Sequence, residues 1–153
     1  MSADFWPTAL AYFGLSIVSA VIPWVNAELV MISAIPLAAS STALAALVVV
    51  VSAGQMTGKA AMYWLSRKSA RPRSPLVQRA VDRWRARLQQ RPRSALAVIF
   101  LSALVGFPPF FVVSLAAGAL GVEFRRFFAA GAVGRLVHFT VVACIPELLR
   151  RAF

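Results

Sequence analysis

The sequence predicts an all-α integral membrane protein. It reads as an inverted repeat of a broken, re-entrant helical hairpin plus a transmembrane helix, with a cytoplasmic amphipathic helix between the halves. Three observations carry the prediction. Of 153 residues 60% are apolar, the mean hydropathy is +0.76, and the apolar residues gather in long runs, outside the range of soluble folds. Most of the sixteen Lys and Arg fall within residues 67–93, where Asp82 is the only acid. Prolines interrupt two of the apolar runs, at Pro23 and Pro36 and again at Pro108-Pro109.

A single membrane domain is expected over residues 1–153. The first seven residues carry no basic residue ahead of the apolar run, so no cleavable signal peptide is expected and the first span is retained. Residues 5–22 read as a transmembrane helix, with Pro7 in the first turn where its missing N–H does no harm. Residues 23–40 form the first re-entrant unit. Only twelve residues separate Pro23 from Pro36, and as a helix they rise about 18 Å against roughly 30 Å of hydrocarbon. The unit carries Glu28. An ionisable residue at membrane depth is functional by default; the competing reading makes it a helix cap at the interface. Residues 42–65 are the next span, with Tyr63 and Trp64 suited to the membrane interface. Within it Gly54 and Gly58 form a Gly-x-x-x-Gly pair that permits close helix packing, within the chain or between copies. A homo-oligomer is therefore an open expectation.

Residues 67–93 form a basic cytoplasmic loop. Within it residues 76–90 read as an amphipathic helix, with Arg79, Arg83 and Arg87 in a basic row and Trp84 on the apolar side. Such a helix lies among lipid headgroups or packs its apolar face on the protein's own core. The net charge of +11 could suggest nucleic acid. Its confinement to a loop between apolar runs instead fits the positive-inside rule and anionic lipid, so membrane lipids and not nucleic acid are the expected partners.

Residues 94–121 form the second re-entrant unit, broken at Gly106-Phe107-Pro108-Pro109, because successive prolines each remove a backbone donor and restrict the preceding residue. Residues 124–146 are the last span, with Gly131, Gly134, Arg135 and His138 inside it and Pro146 as its stop. Interrupted segments in corresponding positions of two halves point to a transporter-like site. This topology carries Arg150 and Arg151 outward; a complete crossing by residues 94–121 would instead place Arg125 and Arg126 outside.

Cys144 stands alone, so no internal disulfide exists, and one His with one Cys makes no metal site. No cofactor is expected. No nucleophile–base pair or phosphate-cradling glycine loop points to an enzyme.

The order and spacing of several motifs resemble the DedA family, also called the VTT or SNARE-associated Golgi protein domain. The residues concerned are Pro23-Trp-Val-Asn-Ala-Glu28, Gly54-Gln-Met-Thr-Gly58 with Tyr63, Phe107-Pro-Pro-Phe110 with Ala117-Gly118, and Phe127. The chain looks like a compact, divergent, YqaA-like member. It departs from the pattern at Lys59, where many members carry an acid, and in lacking arginines around the second break. The resemblance implies a plasma (inner) membrane protein that moves lipid between leaflets, by phospholipid scrambling or flipping or by undecaprenyl-phosphate recycling. A polar site between the two re-entrant segments would then be formed by Glu28, Asn26, Arg135, Lys59 and Ser102. Arg135 either receives a phosphate or neutralises Glu28 as a structural ion pair; Lys59 either receives a phosphate or reaches towards the headgroups. Gly118 joins Gly54, Gly58, Gly131 and Gly134 as a packing residue. A non-transporting membrane scaffold, or an assembly or envelope-integrity factor, is the alternative.

Overall fold

The computed structural model describes residues 5–22, 25–69 and 92–152, with positions 79, 82, 83, 86 and 90; of residues 92 and 147–152 it describes the backbone. The described residues are helical and include no strand. The helices are α1 (Phe5–Val21), α2 (Ala27–Ala34), α3 (Ser41–Ser69), α4 (Pro92–Val105), α5 (Phe110–Ala119) and α6 (Phe124–Ala152), with a 3-10 turn at Ile35–Leu37 after α2.

Local chemistry sets the boundaries. The Asn26 side chain accepts a hydrogen bond from the Glu28 N–H at 2.8 Å and caps α2, satisfying one of the donors a helix start leaves open. Pro36 lies in the 3-10 turn that ends this segment. Ser40 Oγ accepts from the Ala43 N–H at 3.2 Å and caps α3 in the same way. Pro92 opens α4, a position that needs no N–H. At the second break Gly106 has φ +82°, and the Phe107-Pro108 peptide is cis. Past α5, Gly121 takes φ +74°; its N–H reaches the Gly118 carbonyl at 3.1 Å, and that of Val122 reaches Ala117 at 3.0 Å. This pair of bonds is a Schellman motif, which asks for a left-handed residue at Gly121.

Two compact units make up the chain, Met1–Gly58 with Arg135–Phe153, and Lys59–Gly134. Each contains one helical hairpin and part of both long helices. In the first unit, α1 and α2 pair antiparallel. Tyr12 Oη lies 3.1 Å from Ser33 Oγ, and Phe5 and Ala9 pack with Ala34, Ala43 and Leu47. A second cluster joins Met31 of α2 to Val48 and Val51 of α3 and Phe139 and Val142 of α6. Gly54 and Gly58 meet α1: a Cβ on Gly54 would sit 2.6 Å from the Phe13 carbonyl oxygen, and one on Gly58 would sit 2.9 Å from that of Ile17. Beside them the Gln55 amide donates to the Ser16 carbonyl at 3.2 Å and to Ser19 Oγ at 2.5 Å.

In the second unit α4 and α5 form the other hairpin. Ser102 Oγ donates to the Pro108 carbonyl at 2.6 Å and ties the break to the end of α4. Tyr63 stacks on Phe127 with ring centroids 5.0 Å apart, and its hydroxyl donates to the Val122 carbonyl at 2.5 Å. Gly118 lets α5 approach the Tyr63 carbonyl and Ser66 Oγ, and Ser66 Oγ donates to Leu115 at 2.8 Å. Gly134 does the same for α6 against Ala103 and Phe100 of α4. Gly131 is buried on α6.

Three boundaries differ from those read in the sequence. The helix expected at 42–65 runs on to Ser69, and α4 begins at Pro92, so both ends of the basic 67–93 segment are helical. Pro146 does not stop the last helix, which continues to Ala152. Proline removes one internal hydrogen bond and bends a helix without having to end it. Residues 5–22, expected as a span, form α1, which pairs with α2. The expected helix at 76–90 lies largely outside the described residues, as do Trp84, Arg87 and Pro23; Arg79 and Arg83 are helical and exposed.

Candidate functional site

The charged cluster of the first unit is built from two helices. Asn26 fixes the start of α2, which places Glu28 in its first turn. Arg135 and His138 stand three residues apart on α6, hence on one face. His138 Nε2 lies 3.1 Å from Glu28 Oε1, with side chains 14% and 40% exposed respectively. Arg135 is 6% exposed; its guanidinium lies 5.7 Å from the Phe139 ring centroid, and its charge and that of Glu28 act on one another. Glu28 is thus the most open of three ionisable groups held among apolar side chains. Such a cluster can present one carboxylate to a cationic or proton-carrying group while His138 fixes its position. Asn26 is exposed and serves the cluster through the cap.

The other residues singled out in the sequence belong to the second unit. Lys59 is 4% exposed, and its Nζ lies 5.8 Å and 5.7 Å from the ring centroids of Phe110 and Phe111. It is therefore buried over aromatic faces, a favourable place for a cation, rather than extended towards solvent. Ser102 is fully buried on the break. Pro108, Pro109 and Gly106 form that break, as Pro36 does in the first unit.

A model of the VTT domain matches residues 22–147, most of the chain. The chain belongs to the VTT domain family. It is a DedA-like, membrane-associated protein, and among the described residues α3 and the Phe124–Pro146 part of α6 are long and apolar enough to cross a membrane. No curated protein and no solved structure matches the chain.

Within this VTT domain two features went unread in the sequence. His138, which the sequence suggests as a hydrogen-bonded packing residue one turn from Arg135, has Glu28 as its partner, a pairing across 110 positions that no local pattern shows. Gln55, inside the glycine pair, is 1% exposed and bonds to α1. A lone amide within an apolar helix was the signal there, since polar side chains in such helices bond across to a neighbour.

Proposed function

We propose that this protein resides in the plasma (inner) membrane as a multi-pass VTT domain protein that moves lipid between leaflets. The route is phospholipid scrambling or flipping, or recycling of undecaprenyl phosphate. In this reading α3 and α6 span the bilayer, residues 67–93 face the cytoplasm, and the α1–α2 and α4–α5 pairs are the re-entrant hairpins of an inverted repeat. Helix lengths support it: α4 and α5, with 14 and 10 residues, rise only about 21 and 15 Å, short of the roughly 30 Å hydrocarbon core. At the second break Ser102 Oγ satisfies the Pro108 carbonyl, the kind of pairing that irregular backbone at membrane depth requires. The outer surface supports it too. Leu10, Leu29, Val105 and Phe107 are well exposed, Phe107 at 79%, which suits a hydrocarbon solvent better than water.

The observation that carries the function is the Glu28–His138–Arg135 cluster. A charged headgroup crossing hydrocarbon alone meets a cost of several kcal/mol or more. A carboxylate 40% exposed and fixed by His138 lowers that barrier for a headgroup amine, or exchanges a proton with a protonated one. The chemistry asks for no cofactor and no covalent step, and we read the protein as non-enzymatic.

The test reconstitutes purified protein into liposomes carrying fluorescent phospholipid in both leaflets, then adds a membrane-impermeant quencher. Signal lost beyond the outer-leaflet half, faster than in empty liposomes, supports translocation. Loss equal to that of empty liposomes removes phospholipid scrambling and leaves a specialised lipid carrier or the scaffold reading.

A further inference from the structure

The second unit contains an open groove of about 360 Å³ between α4 and α5. Val98 and Ile99 of α4 face Val113 and Ala116 of α5 along it, and Ser94 and Val122 mark one end. Its walls are almost wholly apolar, and no part of the charged cluster belongs to it. The end at Ser94 and Val122 is basic. Arg93 is exposed one residue before Ser94. Arg67 Nη1 lies 3.4 Å from the Val122 carbonyl oxygen and also donates to Tyr63 Oη. Arg125 is exposed three residues beyond Val122. Glu123 at this end is bound to Arg126 at 2.7 Å, and Arg93, Arg67 and Arg125 make the mouth positive. An apolar slot with a cationic mouth is complementary to a molecule that is apolar along its length and anionic at its head.

The geometry points to a binding site for one anionic phospholipid of the surrounding bilayer, with an acyl chain in the α4–α5 groove and its phosphate at Arg93 and Arg67. It rests on the membrane reading given above and deepens it, since it names a lipid held in place rather than one in passage. Arginine suits the role because its planar fork meets phosphate oxygens in pairs. The chain supplies apolar contact area and the arginines supply headgroup choice: filling the groove removes the lipid, and neutralising the mouth removes the preference.

The test is native mass spectrometry of the full chain in detergent, supplied with equal amounts of phosphatidylglycerol and phosphatidylcholine of identical chains. Wild type is expected to carry one phosphatidylglycerol, favoured about tenfold or more over phosphatidylcholine. Ala116→Trp and Val98→Trp, both at exposed positions on the groove wall, should each abolish retention while circular dichroism stays unchanged. Arg93→Gln should bring phosphatidylglycerol down towards phosphatidylcholine. Equal retention of the two lipids by wild type overturns the proposal, as does retention unaffected by both tryptophans. The same preparations, assayed in liposomes, separate the two readings. Retained lipid without translocation leaves this site standing and removes the transport function; translocation without retained lipid does the reverse.

Discussion

Gly54→Ala adds a single methyl at the contact of α1 with α3, where the structure leaves no room for it. The new carbon would lie 2.6 Å from the Phe13 carbonyl oxygen and 2.7 Å from Ser16 Cβ, where carbon contacts are normally about 3.5–4.0 Å. Both obstacles belong to α1 itself, so the helix must retreat by about 1 Å, a gap that forfeits up to half of each contact's attraction. Overpacking of this kind costs about 1–3 kcal/mol. The retreat also stretches the hydrogen bonds from Gln55 to Ser16 and Ser19, each worth roughly 0.6 kcal/mol among membrane helices. Against this, replacing Gly by Ala inside a helix gains about 1 kcal/mol. The net expectation is a loss of about 1–3 kcal/mol, or a fall of several degrees in Tm by the scaling of globular domains. Gly14→Ala is the internal control. Nothing lies within 4 Å of a Cβ there, so only the propensity gain of about 1 kcal/mol remains and the variant should melt higher than wild type. Thermal unfolding in detergent, followed by far-UV circular dichroism, reads both. Gly54→Ala melting as high as Gly14→Ala would refute the close approach of α1 and α3.

Two further substitutions probe other parts of the fold. Gly121→Ala forces a Cβ into the left-handed turn at φ +74° and should cost about 1–2 kcal/mol in the same melting assay; no change would mean that the Schellman turn is absent. Tyr63→Phe removes the hydroxyl that reaches the Val122 carbonyl and receives Arg67, with an expected loss of about 1–2 kcal/mol, and should speed amide exchange at residues 121–123. Unchanged exchange there would show that the tyrosine does not anchor this turn.

The sequence was most informative where a residue's backbone chemistry allows few alternatives. Paired prolines cannot continue a helix, so the break at Pro108-Pro109 was legible; Asn26 reads as a polar group of the site, and the structure makes it the cap of α2. The sequence was least informative where the outcome depends on what lies across a helix. An apolar run of the length of α1 reads as a span, but its pairing with α2 through Tyr12 and Ser33 joins residues 21 positions apart that no local pattern connects. Pro146 reads as a stop because proline disfavours the helix interior, yet α6 runs through it. Of the candidate site, Glu28 and Arg135 were legible as the ionisable residues of apolar segments. Their connection through His138 was not, because 110 positions separate it from Glu28.

In the proposed function Glu28 carries the lipid headgroup. The direct measurement is the rate of fluorescent phospholipid exchange between leaflets in liposomes holding equal amounts of wild type and Glu28→Gln. Glutamine keeps the shape and a hydrogen bond to His138 but removes the charge. A charged hydrogen bond is worth about 1.5–3 kcal/mol, so the rate should fall roughly tenfold to a hundredfold while the melting temperature changes little. Exchange at the wild-type rate in a folded Glu28→Gln protein would contradict the claim.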